Sequence, residues 1–129
     1  MERLFLIMSG VNGFLAVGLG AFGAHGLRGM LANAADGPRR LEVWSTAAHY
    51  HLLHALALAL VSYLTTRSNH QAVAVAGYLF AAGIALFSGS LYALAWSGVR
   101  ALGAVTPFGG LCFLAGWACV VWTALKLPH

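Results

Sequence analysis

The chain of 129 residues contains very few charged side chains. Charged residues make up 8% of it, against about 25% in a typical soluble domain. Hydrophobic residues make up 60%, and the mean hydropathy is +0.81. A soluble domain of this size must cover a large surface with polar groups, and this chain has too few of them. The composition excludes a soluble globule, a disordered chain and a nucleic-acid partner, and it indicates a membrane protein.

The charged residues are placed so that they leave four long windows without any charge. These windows are 4–27, 43–66, 68–99 and 101–125. A helix rises about 1.5 Å per residue and the hydrocarbon core is about 30 Å thick, so each window can cross a bilayer once. The windows are continuously apolar and do not alternate as the strands of a membrane β-barrel do. We therefore predict an all-α fold.

That fold is an integral membrane four-helix transmembrane bundle, with residues 1–129 forming a single transmembrane domain. The predicted helices are approximately 4–25, 44–65, 72–96 and 102–125. The second could begin near Pro38, because proline is tolerated in the first turn of a helix. Short connections at 66–71 and 97–101 predict antiparallel neighbours. Both termini then lie on the same side, but the Lys and Arg counts of the two sides, three and four, do not decide the orientation.

Acidic residues and cysteines are too scarce to support several kinds of chemistry. No Asp or Glu lies in any of the four windows, whereas proton-coupled export generally uses a carboxylate inside the membrane. Cys112 and Cys119 are about 10.5 Å apart along a helix, too far for a disulfide, which needs Cα atoms within about 7 Å. Motifs for hydrolysis, phosphoryl transfer and thiol redox chemistry are absent from the sequence. The sequence therefore gives no support for an enzyme.

Small residues recur at intervals of three and four along every predicted helix, which favours close helix packing in a bilayer. We expect the first and fourth helices to pack through the following glycines: Gly13, Gly20, Gly23, Gly109 and Gly116.

Histidines and hydroxyl-bearing residues concentrate in the half of the bundle away from the termini. Two of the six histidines are set apart, His70 in a loop and His129 at the end of the sequence. The candidate polar layer, or ligand site, consists of His25, His51, His54, Ser88, Ser90, Tyr92 and Thr106. We expect hydrogen bonds between helices here, including one from His54 to Ser88 or Tyr92, and we expect Asn12 to bond across the bundle.

Two other interpretations of the polar layer stay open. His51 and His54 lie three residues apart and face nearly the same way, so they could hold a metal, a haem or a quinone. The layer could also handle protons. No carboxylate or thiolate lies among the candidates to complete a metal site, so the sequence requires no cofactor and leaves any metal unknown.

Five ordered motifs resemble the domain-of-unknown-function 423 family. They are Leu19–His25, Tyr50–Ala57, Leu86–Tyr92, Thr106–Gly110 and Leu114–Trp117. The family includes small bacterial inner-membrane proteins and the animal transmembrane protein 256. The resemblance implies a four-helix membrane protein, and it implies no activity. Members often carry a basic C-terminal tail, which implies cytoplasmic termini, but here only Leu127, Pro128 and His129 follow Lys126.

The sequence thus predicts a non-enzymatic accessory, assembly or scaffold protein of the bacterial inner membrane. Its expected partners are the lipid bilayer and either further copies of itself or a larger membrane complex. The alternative is a protein that binds a cofactor, metal or quinone near His51 and His54, and the third hypothesis is a small dimeric transporter.

Overall fold

The computed structural model describes residues Met1–Pro128, so the expectation for His129 lies outside the described residues. The described chain forms four long helices and no strand. They are α1 (Glu2–Met30), α2 (Gly37–Arg67), α3 (Gln71–Ser97) and α4 (Thr106–Lys126), the last preceded by a 3-10 segment at Arg100–Ala104. All four are long and apolar enough to cross a membrane. The predicted all-α, four-helix transmembrane architecture is confirmed.

Helices α1 and α2 extend beyond the charge-free windows 4–27 and 43–66 because their polar ends continue outside the hydrocarbon core. The 31 residues of α2 span about 46 Å, well beyond the thickness of that core. This helix begins at Gly37 with Pro38 in its first turn, where the missing N–H would have no intrahelical acceptor in any case.

The end of α3 is fixed by a glycine and by an arginine from α2. Gly98 follows the helix with φ 73°, a left-handed conformation that favours glycine and terminates helices. The Nε and Nη2 atoms of Arg40 donate to the carbonyls of Ala95 and Trp96, at 2.8 and 2.6 Å. These bonds satisfy two carbonyls that lack an intrahelical partner. Arg40 also lies 3.6 Å from the carboxylate of Asp36.

Helices α2 and α3 form the centre of the bundle. α1 packs mainly against α2, and α4 packs mainly against α3, with no extensive contact between α1 and α4 in the part of the chain described. Half of the apolar window of α2 is buried, against 11% for α1. The small faces of the four helices therefore do not all converge on one axis.

Several glycines lie where a β-carbon would collide with a neighbouring helix. A methyl group at Gly109 would strike the backbone of Phe87, and those at Gly116 and Gly23 would strike the rings of Phe80 and Trp44. A methyl group at Gly77 would collide equally closely with the ring of Phe5, and one at Gly83 with the ring of Phe113. At Gly20 the nearest atom is the methyl of Ala48 at 3.8 Å, and the space at Gly13 is open.

Two helices contain a short π-helical segment. The first is Gly23–Leu27 in α1, and the second is Ile84–Ser88 in α3. A π segment adds a residue to one helical turn and so rotates the following side chains around the axis.

Candidate functional site

The polar layer separates two buried apolar clusters. One cluster, nearer the termini, includes Phe5, Leu58 and Phe80, and the other includes Leu27 and Trp44. Between them lie the buried side chains of His51, His54, Ser88 and Ser90 and the half-buried side chains of Tyr92 and Thr106. Polar groups in this position are costly unless they find hydrogen-bond partners, so their partners define what the layer can do.

A chain of hydrogen bonds joins three helices through His51. The Nε2 atom of His51 lies 3.0 Å from Oδ1 of Asn12 in α1, and its Nδ1 lies 3.0 Å from the hydroxyl of Tyr92 in α3. Asn12 in turn donates from Nδ2 to the carbonyl of Met8 at 2.8 Å. The expectation that Asn12 bonds across the bundle is confirmed.

The Met8 carbonyl determines which atoms donate and which accept along these hydrogen bonds. A carbonyl only accepts, so the atom of Asn12 that faces it is the amide nitrogen, and Oδ1 is left to accept from His51. For neutral His51, the proton is then on Nε2 and Nδ1 accepts from the hydroxyl of Tyr92. Both ring nitrogens of His51 are occupied, so neither is free to bind a metal.

His54 lies one turn further along α2 and belongs to a separate cluster. Its Nδ1 donates to the carbonyl of Tyr50 at 2.8 Å, and its Nε2 accepts from the indole N–H of Trp117 at 3.2 Å. Its ring stacks on Phe113 with the centroids 3.5 Å apart. The expected bond from His54 to Ser88 or Tyr92 is therefore wrong. His54 faces α4, whereas His51 faces α1 and Tyr92.

The hydroxyl groups of the layer also bond within the bundle. Ser88 donates to the carbonyl of Ala47 in α2 at 2.9 Å. Ser90 donates to the carbonyl of Phe87 at 3.0 Å, and its oxygen lies 2.7 Å from the hydroxyl of Thr106. Since Ser90 has a single proton, Thr106 is the donor in that second contact. These bonds tie α3 to α2 and to α4.

His25 does not join the other candidates. Its side chain is exposed on the outside of α1 within the π segment. Among the residues described, no group of three or more His, Cys, Asp or Glu side chains is arranged to hold a metal ion.

An aromatic groove opens on the outer surface beside His54. It encloses about 540 Å³ between α2, α3 and α4. Its walls include the rings of Tyr50, Phe87, Phe113 and Trp117. The sequence alone indicates no role for Trp117 or Tyr50. Trp117 lies in a family motif, but the position of its N–H beside His54 depends on how α2 and α4 pack.

Comparison with known proteins gives the family of the chain. A family model described as "Protein of unknown function (DUF423)" matches residues 19–110. The UPF0382 membrane protein YwdK of Bacillus subtilis is 46% identical, covering 96% of this chain and 98% of that protein. The UPF0382 membrane protein SERP0230 of Staphylococcus epidermidis is 43% identical over 96% and 97% of the two chains.

A third relative, the UPF0382 membrane protein SSP2132 of Staphylococcus saprophyticus, is 40% identical over 97% of this chain and 99% of its own. No solved structure matches the chain significantly. The family match covers most of the sequence, and the matched relatives are bacterial membrane proteins of nearly the same length. The chain is therefore a membrane protein that belongs to the DUF423 family.

Proposed function

We propose that this protein is a non-enzymatic scaffold or assembly factor of the bacterial inner membrane, with both termini in the cytoplasm. The observation that carries the proposal is the hydrogen bonding of the polar layer. Both ring nitrogens of His51 and of His54 have partners inside the bundle. The layer in the leaflet away from the termini thus acts as a rigid support that fixes four helices relative to one another.

The outer face of α1 is the surface on which a scaffold would receive another transmembrane helix. Phe14 and Val17 are 80% and 62% exposed there. Nearby Gly10 and Gly18 have open space in place of a side chain. Small residues beside large apolar ones let a second helix approach closely. Helices in a bilayer associate through such close packing, because the lipid chains are as apolar as the helices and leave no hydrophobic driving force between them. The second helix belongs to another copy of this chain or to a larger complex.

Site-specific photo-crosslinking in native membranes tests this role. A photoreactive residue at position 14 should yield a protein adduct of discrete mass, and Gly18→Leu should abolish it by blocking the approach. Leu125, 74% exposed on α4, provides the matched control position. Lipid adducts alone at position 14 would contradict the scaffold role.

The sidedness needs its own measurement. The substitution Pro128→Cys is made in a Cys112→Ser, Cys119→Ser background. The new cysteine should react with a membrane-impermeant thiol reagent only after the membrane is permeabilised. Reaction in intact cells would show that the termini lie outside the cytoplasm and would contradict the proposed orientation.

A second candidate function is the binding of a membrane-soluble ring compound such as a quinone in the aromatic groove. The observation favouring it is the hydroxyl of Tyr50, which lines this apolar groove and has no hydrogen-bond partner among the described residues. Such a hydroxyl can donate to a ligand carbonyl. Protein purified from native membranes should then carry a stoichiometric quinone that is lost in Tyr50→Phe and kept in Tyr63→Phe.

A further inference from the structure

A second crevice lies between α1 and α2 near the loop that joins them. It encloses about 390 Å³. Its floor consists of small residues from both helices, namely Gly20, Gly23, Ala24 and Ala48. It is separate from the polar layer and from the aromatic groove, because its lining contains none of their candidate residues.

One basic and one acidic side chain line this crevice together. Arg28 comes from the end of α1, and Glu42 comes from the beginning of α2. Neither forms an ion pair within the described chain, where Arg40 and Asp36 are the pair observed. Both lie close to the helix ends, which is the level of the lipid headgroups for helices of this length. The crevice thus carries two opposite charges that are free for a ligand.

The π segment of α1 explains why Arg28 stands over the small-residue floor. In a regular α-helix, eight residues would place Arg28 about 80° around the axis from Gly20. The extra residue of the π segment at Gly23–Leu27 reduces that angle to about 20°. Arg28 is then almost directly above Gly20, about 10 Å further along the axis.

Ser45 adds a third polar group with a free hydroxyl. It lies one turn after Glu42 in α2 and lines the same crevice. The hydroxyls of Ser90 and Ser97 donate to a carbonyl one turn back in their own helix, and Ser45 has no such bond. A free hydroxyl beside an arginine is suited to the oxygens of a phosphate ester.

We propose that this crevice binds a phospholipid whose headgroup carries a primary ammonium, as in phosphatidylethanolamine. Arg28 and Ser45 bind the phosphate, and Glu42 accepts hydrogen bonds from the ammonium group. The first part of one acyl chain lies on the floor formed by Gly20, Gly23 and Ala48. A trimethylammonium headgroup has no N–H to donate, and a glycerol headgroup has no positive charge, so Glu42 selects against both.

The proposal is independent of the scaffold function, and lipid binding to the purified full chain tests it. Native mass spectrometry should be run with phosphatidylethanolamine, phosphatidylcholine and phosphatidylglycerol of identical acyl chains. Wild-type protein should bind the first about twofold to fivefold more tightly than the other two, the range expected from one solvent-exposed ion pair. Equal binding of all three lipids would overturn the proposal.

Variants then assign the effect to the crevice. The Glu42→Gln variant should lose the preference for the primary ammonium but should still bind phospholipid. The Arg28→Gln variant should bind all three lipids more weakly. Ala24→Phe should block the site. Arg39→Gln is the matched control, since Arg39 is a cation at the same end of the bundle and lies outside the crevice.

All four side chains are exposed, so the variants are expected to keep the wild-type melting temperature, which is measured in parallel. A preference that survives both Glu42→Gln and Ala24→Phe would contradict the proposal.

Discussion

The Nδ1 atom of His51 lies 3.0 Å from the hydroxyl oxygen of Tyr92, and this contact joins the two central helices of the bundle. On its other side the same ring reaches Asn12 of α1. One imidazole therefore holds three helices in a single arrangement. Because the surroundings are apolar, each partner lost leaves a polar atom without a hydrogen bond.

The first prediction concerns the strength of the bond between His51 and Tyr92. A double-mutant cycle with His51→Leu and Tyr92→Phe should give a coupling free energy of about 0.6 kcal/mol, and at most about 1.7, as measured for hydrogen bonds between membrane helices. Reversible unfolding in mixed micelles measures it. Tyr63→Phe, on an exposed side chain of α2, should show no coupling to His51→Leu. Zero coupling for the Tyr92 pair as well would mean that the contact contributes nothing.

Sequence alone could predict the four membrane spans, because those spans depend on where charges interrupt apolar runs. It could also predict most residues of the polar layer, since a His or Ser within a span is visible in the sequence, but His25, predicted to belong to the layer, lies exposed on the outside of α1. The hydrogen-bond partners within the layer were harder to predict. His51 and His54 differ by about 60° around α2. Which of them meets Tyr92 and which meets Trp117 therefore depends on how the helices pack.

The π segments lay beyond the reach of the sequence for a related reason. A periodicity argument assumes a constant angle per residue, and Gly23–Leu27 changes that angle within one turn. The position of Arg28 relative to Gly20 follows from this segment. The apolar pattern of α1 does not reveal such a change, because the residues that immediately precede the segment are all apolar or small.

The second prediction compares two glycines of similar appearance in the sequence. Gly109→Ala should destabilise the bundle by about 1–3 kcal/mol, because the added methyl collides with the backbone of Phe87 and forces α3 and α4 apart. Gly13→Ala should be neutral or stabilising by up to about 1 kcal/mol, because the space there is open and alanine favours helix. Thermal unfolding of the two variants in the same detergent decides between them, and equal destabilisation would contradict the packing described.

The third prediction concerns the capping of α3 by Arg40. Arg40→Met keeps the aliphatic stem but removes both donors to the carbonyls of Ala95 and Trp96, so it should cost about 1–2 kcal/mol. Hydrogen exchange should accelerate in the last turn of α3 before it does elsewhere.

Two further variants separate capping from charge in that experiment. Arg39→Met removes a neighbouring cation and should leave exchange in α3 unchanged. Asp36→Asn should have a smaller effect than Arg40→Met, because its carboxylate is 48% exposed and 3.6 Å from Arg40. If Asp36→Asn had the same effect as Arg40→Met, the ion pair, and not the capping, would be what stabilises the end of α3.

The fourth prediction concerns a buried hydroxyl that the packing leaves without a partner. Thr123 of α4 is fully buried, and its Oγ1 forms no hydrogen bond within the described chain. Thr123→Val keeps the shape and removes the unsatisfied polar atom, so it should raise the free energy of unfolding by about 1 kcal/mol. Ser88→Ala provides the contrast, because Ser88 is equally buried but donates to Ala47, and its loss should lower stability. Thermal melts of both variants test the pair. If Thr123→Val destabilised the protein as Ser88→Ala does, the Thr123 hydroxyl must be bonded and the packing around α4 must differ from that described.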